Sequence, residues 1–287
     1  MPTGLVVPEG SGVYRQLQAL AAAGRWVFFA GLPGTGKSLL IHQLSHLAAA
    51  AGRTVHLLQW DTARPAFEAS PAGVRYPVRD GVTHEAIRKA VGLWVRRALL
   101  QWEAGHPDSG HLLVGETPLV GHRFVELARV QDDATEPLLS AATTRFVVPV
   151  PSREVRRFLE AERGRRAARP LHPREREDAP PRVLHDLWRH LAGVAAALGV
   201  AAAAPAGPYD PDLYRRVYER LLRHRRVEVV PVDARFPTET LSVYDFAIAR
   251  RDVLPTPGEG VAAIGEVERR YPDPETLRRE IERWYLV

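Results

Sequence analysis

Residues 26–38, WVFFAGLPGTGKS, leave this chain few folds to choose from. Five apolar residues, Trp26 to Ala30, have the length of a buried strand. The segment Gly31 to Ser38 then fits G-x-x-x-x-G-K-[ST], and an apolar helix is expected from Leu39 to Ala51. A strand passing through a glycine-rich turn into a helix makes a phosphate-binding loop. Gly31, Gly34 and Gly36 let the backbone turn tightly, with Leu32, Pro33, Thr35 and Leu39 completing the cradle. Lys37 is placed to reach the terminal phosphates, and the Ser38 hydroxyl to ligate Mg²⁺. Lys37 and Lys89 are the only lysines among 39 basic residues. A compact ammonium fits between two phosphates where a guanidinium fork does not. Lysine at 37, in a chain that otherwise prefers arginine, therefore supports the motif over a glycine turn with no ligand.

The 287 residues allow one large α/β domain or two small ones. Hydrophobic content of 45% and charged content of 25% fit a globular protein with a full core. There is no cysteine, which excludes disulfides, thiolate metal sites and a thiol nucleophile and suits a cytoplasmic location. No leader peptide is recognisable, and no apolar run reaches about 18 residues, so no membrane partner is expected. The net charge of +5 fits a protein that handles phosphates, and nucleic acid is an allowed but not favoured partner.

Taken in order, residues 1–10 read as a loose arm and Ser11 to Ala23 as a short helix. Thr54 to Trp60 is the second expected strand, with Asp61 at its carboxyl end. Ligands of open α/β sheets bind at such ends. Asp61 there can accept a proton from a substrate hydroxyl, and Arg64 can hold an anionic group of the same molecule. A helix-capping Asp with a surface Arg is the other reading of this pair. Residues 65–82 read as irregular. Thr83 to Glu103 reads as a helix whose Trp94 and Trp102 belong to the core. His111 to Gly115 is the third expected strand, ended by Glu116, a candidate Mg²⁺ ligand. The loop beyond it carries Arg123, which fits either a phosphate contact or an ion pair, before a helix from Phe124 towards Val130.

Thr144 to Val150 is the fourth expected strand, with a bend at Pro149. Ser152 to Arg169 reads as an arginine-crowded helix. Its charges fit a solvated, ion-paired face or a lid whose Arg163, Arg166 and Arg169 close over a phosphate. Residues 170–181 read as a mobile loop. Helices are expected at Val183–Leu198 and Asp212–His224, with a break at Pro205–Pro211 between them. Arg226 to Asp233 is the fifth expected strand. Two C-terminal helices follow, Val261–Tyr271 and Pro274–Trp284, the second with Glu275, Arg278, Arg279 and Glu280 on its solvated face. His42 and His46 share a helix face but lack a third ligand, so packing is the expected role. The alternation predicts an α/β fold, a doubly wound, mainly parallel five-stranded sheet with helices on both faces. A single domain is expected over 1–287, with its core at about 25–235, a lid at about 152–181 and a C-terminal extension at about 236–287.

These features together resemble the P-loop small-molecule kinases. Asp61-x-x-Arg64 after the second strand is similar to the acceptor-site motif of shikimate, adenylylsulfate and polynucleotide kinases. Arg169-Pro-Leu171 looks like the lid of shikimate kinase. The resemblance covers roughly residues 25 to 235. It implies transfer of the γ-phosphate of ATP·Mg²⁺ to a hydroxyl, or a phosphate, of a small-molecule acceptor such as a nucleoside or nucleotide. In that family the Asp contacts the acceptor hydroxyl, which gives Asp61 the part of base. It also gives Arg64 an anionic group of the acceptor; beside that, Lys37 with one or more of Arg163, Arg166 and Arg169 is the expected charge clamp, and Arg123 a candidate acceptor contact. Glu116 stands where the family has Asp. No guanine-specifying Asn-Lys-x-Asp is present. The alternatives are a regulatory P-loop ATPase without a small acceptor and a polynucleotide 5′-hydroxyl kinase.

Overall fold

The computed structural model describes residues 4–204, 207–238 and 240–287. Ser11 caps helix α1 (Gly12–Ala23) by accepting from the Tyr14 N–H. Strand β1 (Trp26–Ala30) leads to α2 (Lys37–Ala50), and β2 (Thr54–Leu58) to α3 (Trp60–Glu68) and α4 (Glu85–Gly105). Next come β3 (His111–Thr117), a one-turn helix α5 (Glu136–Leu139), β4 (Thr144–Pro151) and α6 (Arg153–Ala168). The chain ends with α7 (Pro181–Gly193), α8 (Pro211–Leu221), β5 (Val227–Val232), α9 (Pro257–Arg270) and α10 (Pro274–Glu282).

The five strands form one all-parallel sheet in the order β2-β3-β1-β4-β5, so β1 lies at its centre. Both faces of β1 are buried, and alternate side chains divide between two cores. Trp26, Phe28 and Ala30 pack with α4, α8 and α9, while Val27 and Phe29 pack with α1 and α2. This is the doubly wound α/β architecture expected of alternating strands and helices. No helix among the described residues is long and apolar enough to cross a membrane.

Several expectations need correction. The arm is not loose where it is described. The Val6 and Val7 N–H groups donate to Gln43 Oε1 at 2.7 and 3.1 Å, and Val7 is buried. Residues 1–3 lie outside the described residues, as do Pro205 and Ala206 of the expected break. The second strand stops at Leu58, and Trp60 to Glu68 is helical through Pro65. The helix read from Thr83 starts at Glu85 as α4, capped by His84, which accepts from the Ala86 N–H. The helix expected from Phe124 is only a 3₁₀ turn at Val125–Leu127.

Pro149 does not interrupt β4, which pairs with β5 through Pro151. The Phe146 and Ser152 N–H groups donate to Arg226 and Val232 beyond the same edge of β4, so even-numbered positions face β5. Pro149 and Pro151 thus aim their missing donors at the β1 side, and the β1 ladder ends at Val147. The prolines cost that ladder nothing. Residues 170–181 are not wholly a loop, since they contain a hydrogen-bonded turn. This 3₁₀ turn, Pro173–Glu177, is held by buried Glu175, which accepts from the Leu171 N–H at 2.7 Å and the Ser242 hydroxyl at 2.7 Å. Glu280 is not on a solvated face. It pairs with Lys89 at 2.7 Å and Arg129 at 2.7 Å, docking α10 against α4.

Candidate active site

Parallel pairing puts the carboxyl ends of β1 and β3 side by side, with Phe29 level with Glu116. The chain leaves β1 into the loop Gly31–Gly36 at the middle of the sheet. Gly34 and Gly36 have φ of +73° and +87°. Gly36 caps α2 in the left-handed region, where a side chain is strained even without a neighbour to meet. The Thr35 hydroxyl donates to the Leu32 carbonyl at 2.9 Å, and the Leu32 N–H donates to the Tyr214 hydroxyl at 3.3 Å. Arg156, buried on α6, donates to the Pro33 carbonyl at 2.8 Å and pairs with Glu160 at 2.7 Å. The loop is therefore fastened from α6 and α8, elements far away in sequence. The Lys37 ammonium folds back over it and donates to the Leu32 carbonyl at 2.9 Å.

Lys37 and Glu116 are both buried and influence each other. Burial lowers the Lys37 pKa to about 8 against the favourable charge of Glu116. Burial raises Glu116 to about 7 against the charge of Lys37, with Asp61 adding to the rise. The Trp60 N–H donates to the Glu116 carboxylate, so the turn into α3 also fixes this acid. Asp61 sits exposed in the first turn of α3, beyond the strand rather than on it. A carboxylate suits that helix amino end.

These groups open onto one cavity of about 450 Å³. Pro33, Gly34, Gly36, Lys37, Ser38 and Leu39 line it, while Gly31, Leu32 and Thr35 are buried. Asp61, Arg64, Glu116 and Arg123 line it as well. So do Phe158, Glu162, Arg163 and Arg166 of α6, with Asp178 and Tyr244. Arg163 pairs with Asp178 at 3.1 Å, and Arg166 with Glu175 at 3.4 Å and the Thr238 carbonyl at 3.0 Å. Arg64 is tied to Glu68 and Thr83 at 3.2 Å each. Arg169 is exposed at the carboxyl end of α6 and does not line the cavity. His42 lines it, whereas His46 bonds the Phe246 carbonyl at 3.1 Å.

Arg123 is aimed by a contorted turn. Leu119, His122 and Phe124 all have φ near +60°, as does Gly121 at +74°. Such residues persist only where their surroundings over-determine them. Here the Leu119, His122 and Phe124 side chains are fully buried, and Leu119 and Arg123 exchange backbone hydrogen bonds at 3.0 and 3.2 Å. Sequence reasoning did not find this turn, since only Gly121 signals positive φ. Nor did it give Arg156 and Tyr214 their loop contacts, which join positions over a hundred residues apart.

The oxygen donors of Ser38, Asp61 and Glu116 suit a hard cation such as Mg²⁺. The arginines and Lys37 suit phosphate. No family model matches the chain, and no curated protein or solved structure matches it either.

Proposed function

We propose that this chain is a phosphotransferase of the P-loop kinase type, moving the γ-phosphate of ATP to a hydroxyl or phosphate of a small acceptor. One observation carries the reading. A single cavity is lined by the phosphate loop, by Asp61 with Arg64 and Arg123, and by arginines of α6. A nucleotide-only switch has no need of Asp61, Arg64 and Arg123 in the same cavity.

Lys37 and the loop N–H groups hold the β- and γ-phosphates. Ser38 and Glu116 would hold Mg²⁺, which neutralises phosphate charge when bound. Arg64 and Arg123 orient the acceptor, and Asp61 takes the hydroxyl proton as the acceptor oxygen bonds to phosphorus. The bond from the γ-phosphorus to its bridging oxygen breaks, and ADP departs. Arg163 offsets the charge of the transferring group, and α6 keeps water from competing as acceptor. With a small acceptor and no membrane partner, a cytoplasmic location belongs to the same reading.

The test is ATP consumption with Mg²⁺, alone and with pools of nucleosides, nucleotides, sugars, hydroxy acids and 5′-hydroxyl oligonucleotides. A low basal rate raised many-fold by one pool is expected. A steady rate indifferent to every pool sinks the kinase reading in favour of a regulatory ATPase. Asp61→Asn should abolish transfer while nucleotide still binds, and wild-type transfer by that variant removes Asp61 from its role as base.

A further inference from the structure

At the other end of the sheet from the phosphate loop, three histidines converge. His56 lies in β2, His111 starts β3, and His106 follows the end of α4. One ring nitrogen from each lies within 4.8 Å of the other two. His56 is fully buried and the others partly exposed.

The hydrogen bonds settle which nitrogens are available. His56 Nδ1 meets both oxygens of Asp252, at 2.8 and 3.0 Å. His106 Nδ1 meets the Trp102 carbonyl at 2.8 Å. A carboxylate and a carbonyl only accept, so both Nδ1 atoms carry the proton. The Nε2 of each ring is then a bare lone pair. His56 Nε2 faces His111 Nδ1 at 2.9 Å. His106 Nε2 has no hydrogen bond among the described residues. A histidine whose outer nitrogen donates to a carboxylate or carbonyl is oriented as metal-ligating histidines are.

The scaffold is stiff. Arg25 donates to the carbonyls of His106 and His111, and Arg53 to the His111 carbonyl at 2.7 Å. His106 stacks on Trp102 with ring centroids 5.0 Å apart. In a tetrahedral zinc site, Zn–N bonds of roughly 2.05 Å put ligand nitrogens roughly 3.3 Å apart. The His56–His111 pair is already near this spacing. The third nitrogen has at most about 1.5 Å to close, a ring tilt at the end of a helix.

We propose that His56, His106 and His111 bind a divalent transition cation, zinc above all, with water as the fourth ligand and Asp252 orienting His56 from outside. Three imidazoles select zinc and its neighbours in the d-block over Mg²⁺, which the oxygen-lined cavity suits. The ion would join β2, β3, the end of α4 and the segment carrying Asp252.

The test uses the tag-free full chain, stripped with chelator and titrated with Zn²⁺ against a chromogenic competitor in excess Mg²⁺. One tightly bound equivalent is expected. His106→Gln should abolish it, and Asp252→Asn should weaken it by roughly 10–100-fold. His185→Gln, at an exposed position on α7, should leave it intact. Circular dichroism confirms that each variant folds; His106 and Asp252 are both solvent-accessible, so neither change opens a cavity. No stoichiometric equivalent in the wild type, or an equivalent that survives His106→Gln, overturns the proposal. Neither result bears on the kinase reading, because the readout is zinc binding.

Discussion

Lys89 is the only lysine outside the phosphate loop, and replacing it with methionine should reveal why it is there. Its ammonium reaches Glu126 at 2.9 Å and Glu280 at 2.7 Å, with the Lys89 side chain 6% exposed and that of Glu126 0%. Burial works against the Glu126 carboxylate, but the charges of His122 and Lys89 prevail and hold its pKa well below the usual range. Lys89→Met keeps the length of the side chain and removes the charge. Glu126 is then a buried carboxylate with His122, at 2.8 Å, as its remaining partner. Breaking a buried pair from one side costs about 3–5 kcal/mol. At roughly 2–4 °C per kcal/mol for large domains, Tm should fall by roughly 6–20 °C. Urea unfolding followed by tryptophan fluorescence gives the free energy directly. The deficit should be complete above the ordinary glutamate pKa. It should shrink as pH falls below that value, because a lowered carboxylate pKa stabilises only while the group is ionised. Lys89→Met combined with Glu126→Leu should recover much of the loss, since no uncompensated charge stays buried. A single-variant loss below about 1 kcal/mol, or a double variant as unstable as the sum of its parts, would refute the reasoning.

Glu116 should behave in the opposite sense. Its pKa is raised to about 7, so its protonated form stabilises the fold below the usual glutamate value, and that stability is lost as pH rises through 7. Glu116→Gln should therefore gain stability relative to wild type as pH rises through 7, offset in part by the charge partner that buried Lys37 loses. The gain should fade towards pH 4.5, and a gain independent of pH would exclude a titrating Glu116. The affinity for ATP·Mg²⁺ should weaken below pH 7, by up to about 10-fold per unit, because the carboxyl must release its proton; Glu116→Gln should flatten this profile in a pH series of binding titrations. Tyr214→Phe should leave the buried Leu32 N–H without an acceptor and cost about 1–3 kcal/mol by denaturation. Nucleotide affinity should fall with it as the loop loosens, and unchanged values for both would show that the hydroxyl does not fasten the loop.

The five strands were legible in the sequence because each is a short apolar run, and both faces of a parallel sheet are buried. The phosphate loop was legible because glycine, lysine and serine occur there at fixed spacing. What escaped depends on distant partners. Trp60 to Glu68 is helical although Pro65 reads as a breaker. The helix forfeits one backbone bond there and keeps its buried Ala63 and Phe67. Glu280 has the helical spacing of a solvated acid, and only the position of α4 shows that it meets Lys89. The turn around Arg123 uses leucine, histidine and phenylalanine in a conformation that local preference assigns to glycine. Of the charged groups lining the cavity, Lys37, Asp61, Arg64, Glu116, Arg123, Arg163 and Arg166 could be named from pattern, whereas others, among them Arg174, Glu175, Asp178, Arg235 and Arg251, reach it through tertiary packing. His56, His106 and His111 carry no local motif, since pairing of β2 with β3 brings them together.

The outer edge of β2 is covered by Arg250, which exchanges hydrogen bonds with Val55 and Leu57 at 2.8 and 2.7 Å. That cover is made nearly two hundred residues after the strand it protects. At roughly 5–20 residues per second, a ribosome leaves β2 bare for roughly 10–40 s before the strap emerges. An unpaired edge invites pairing with another chain. Fragments ending before residue 248 should accordingly be the ones that aggregate, and a nascent chain of this protein is most in need of a chaperone between the synthesis of β2 and that of Arg250.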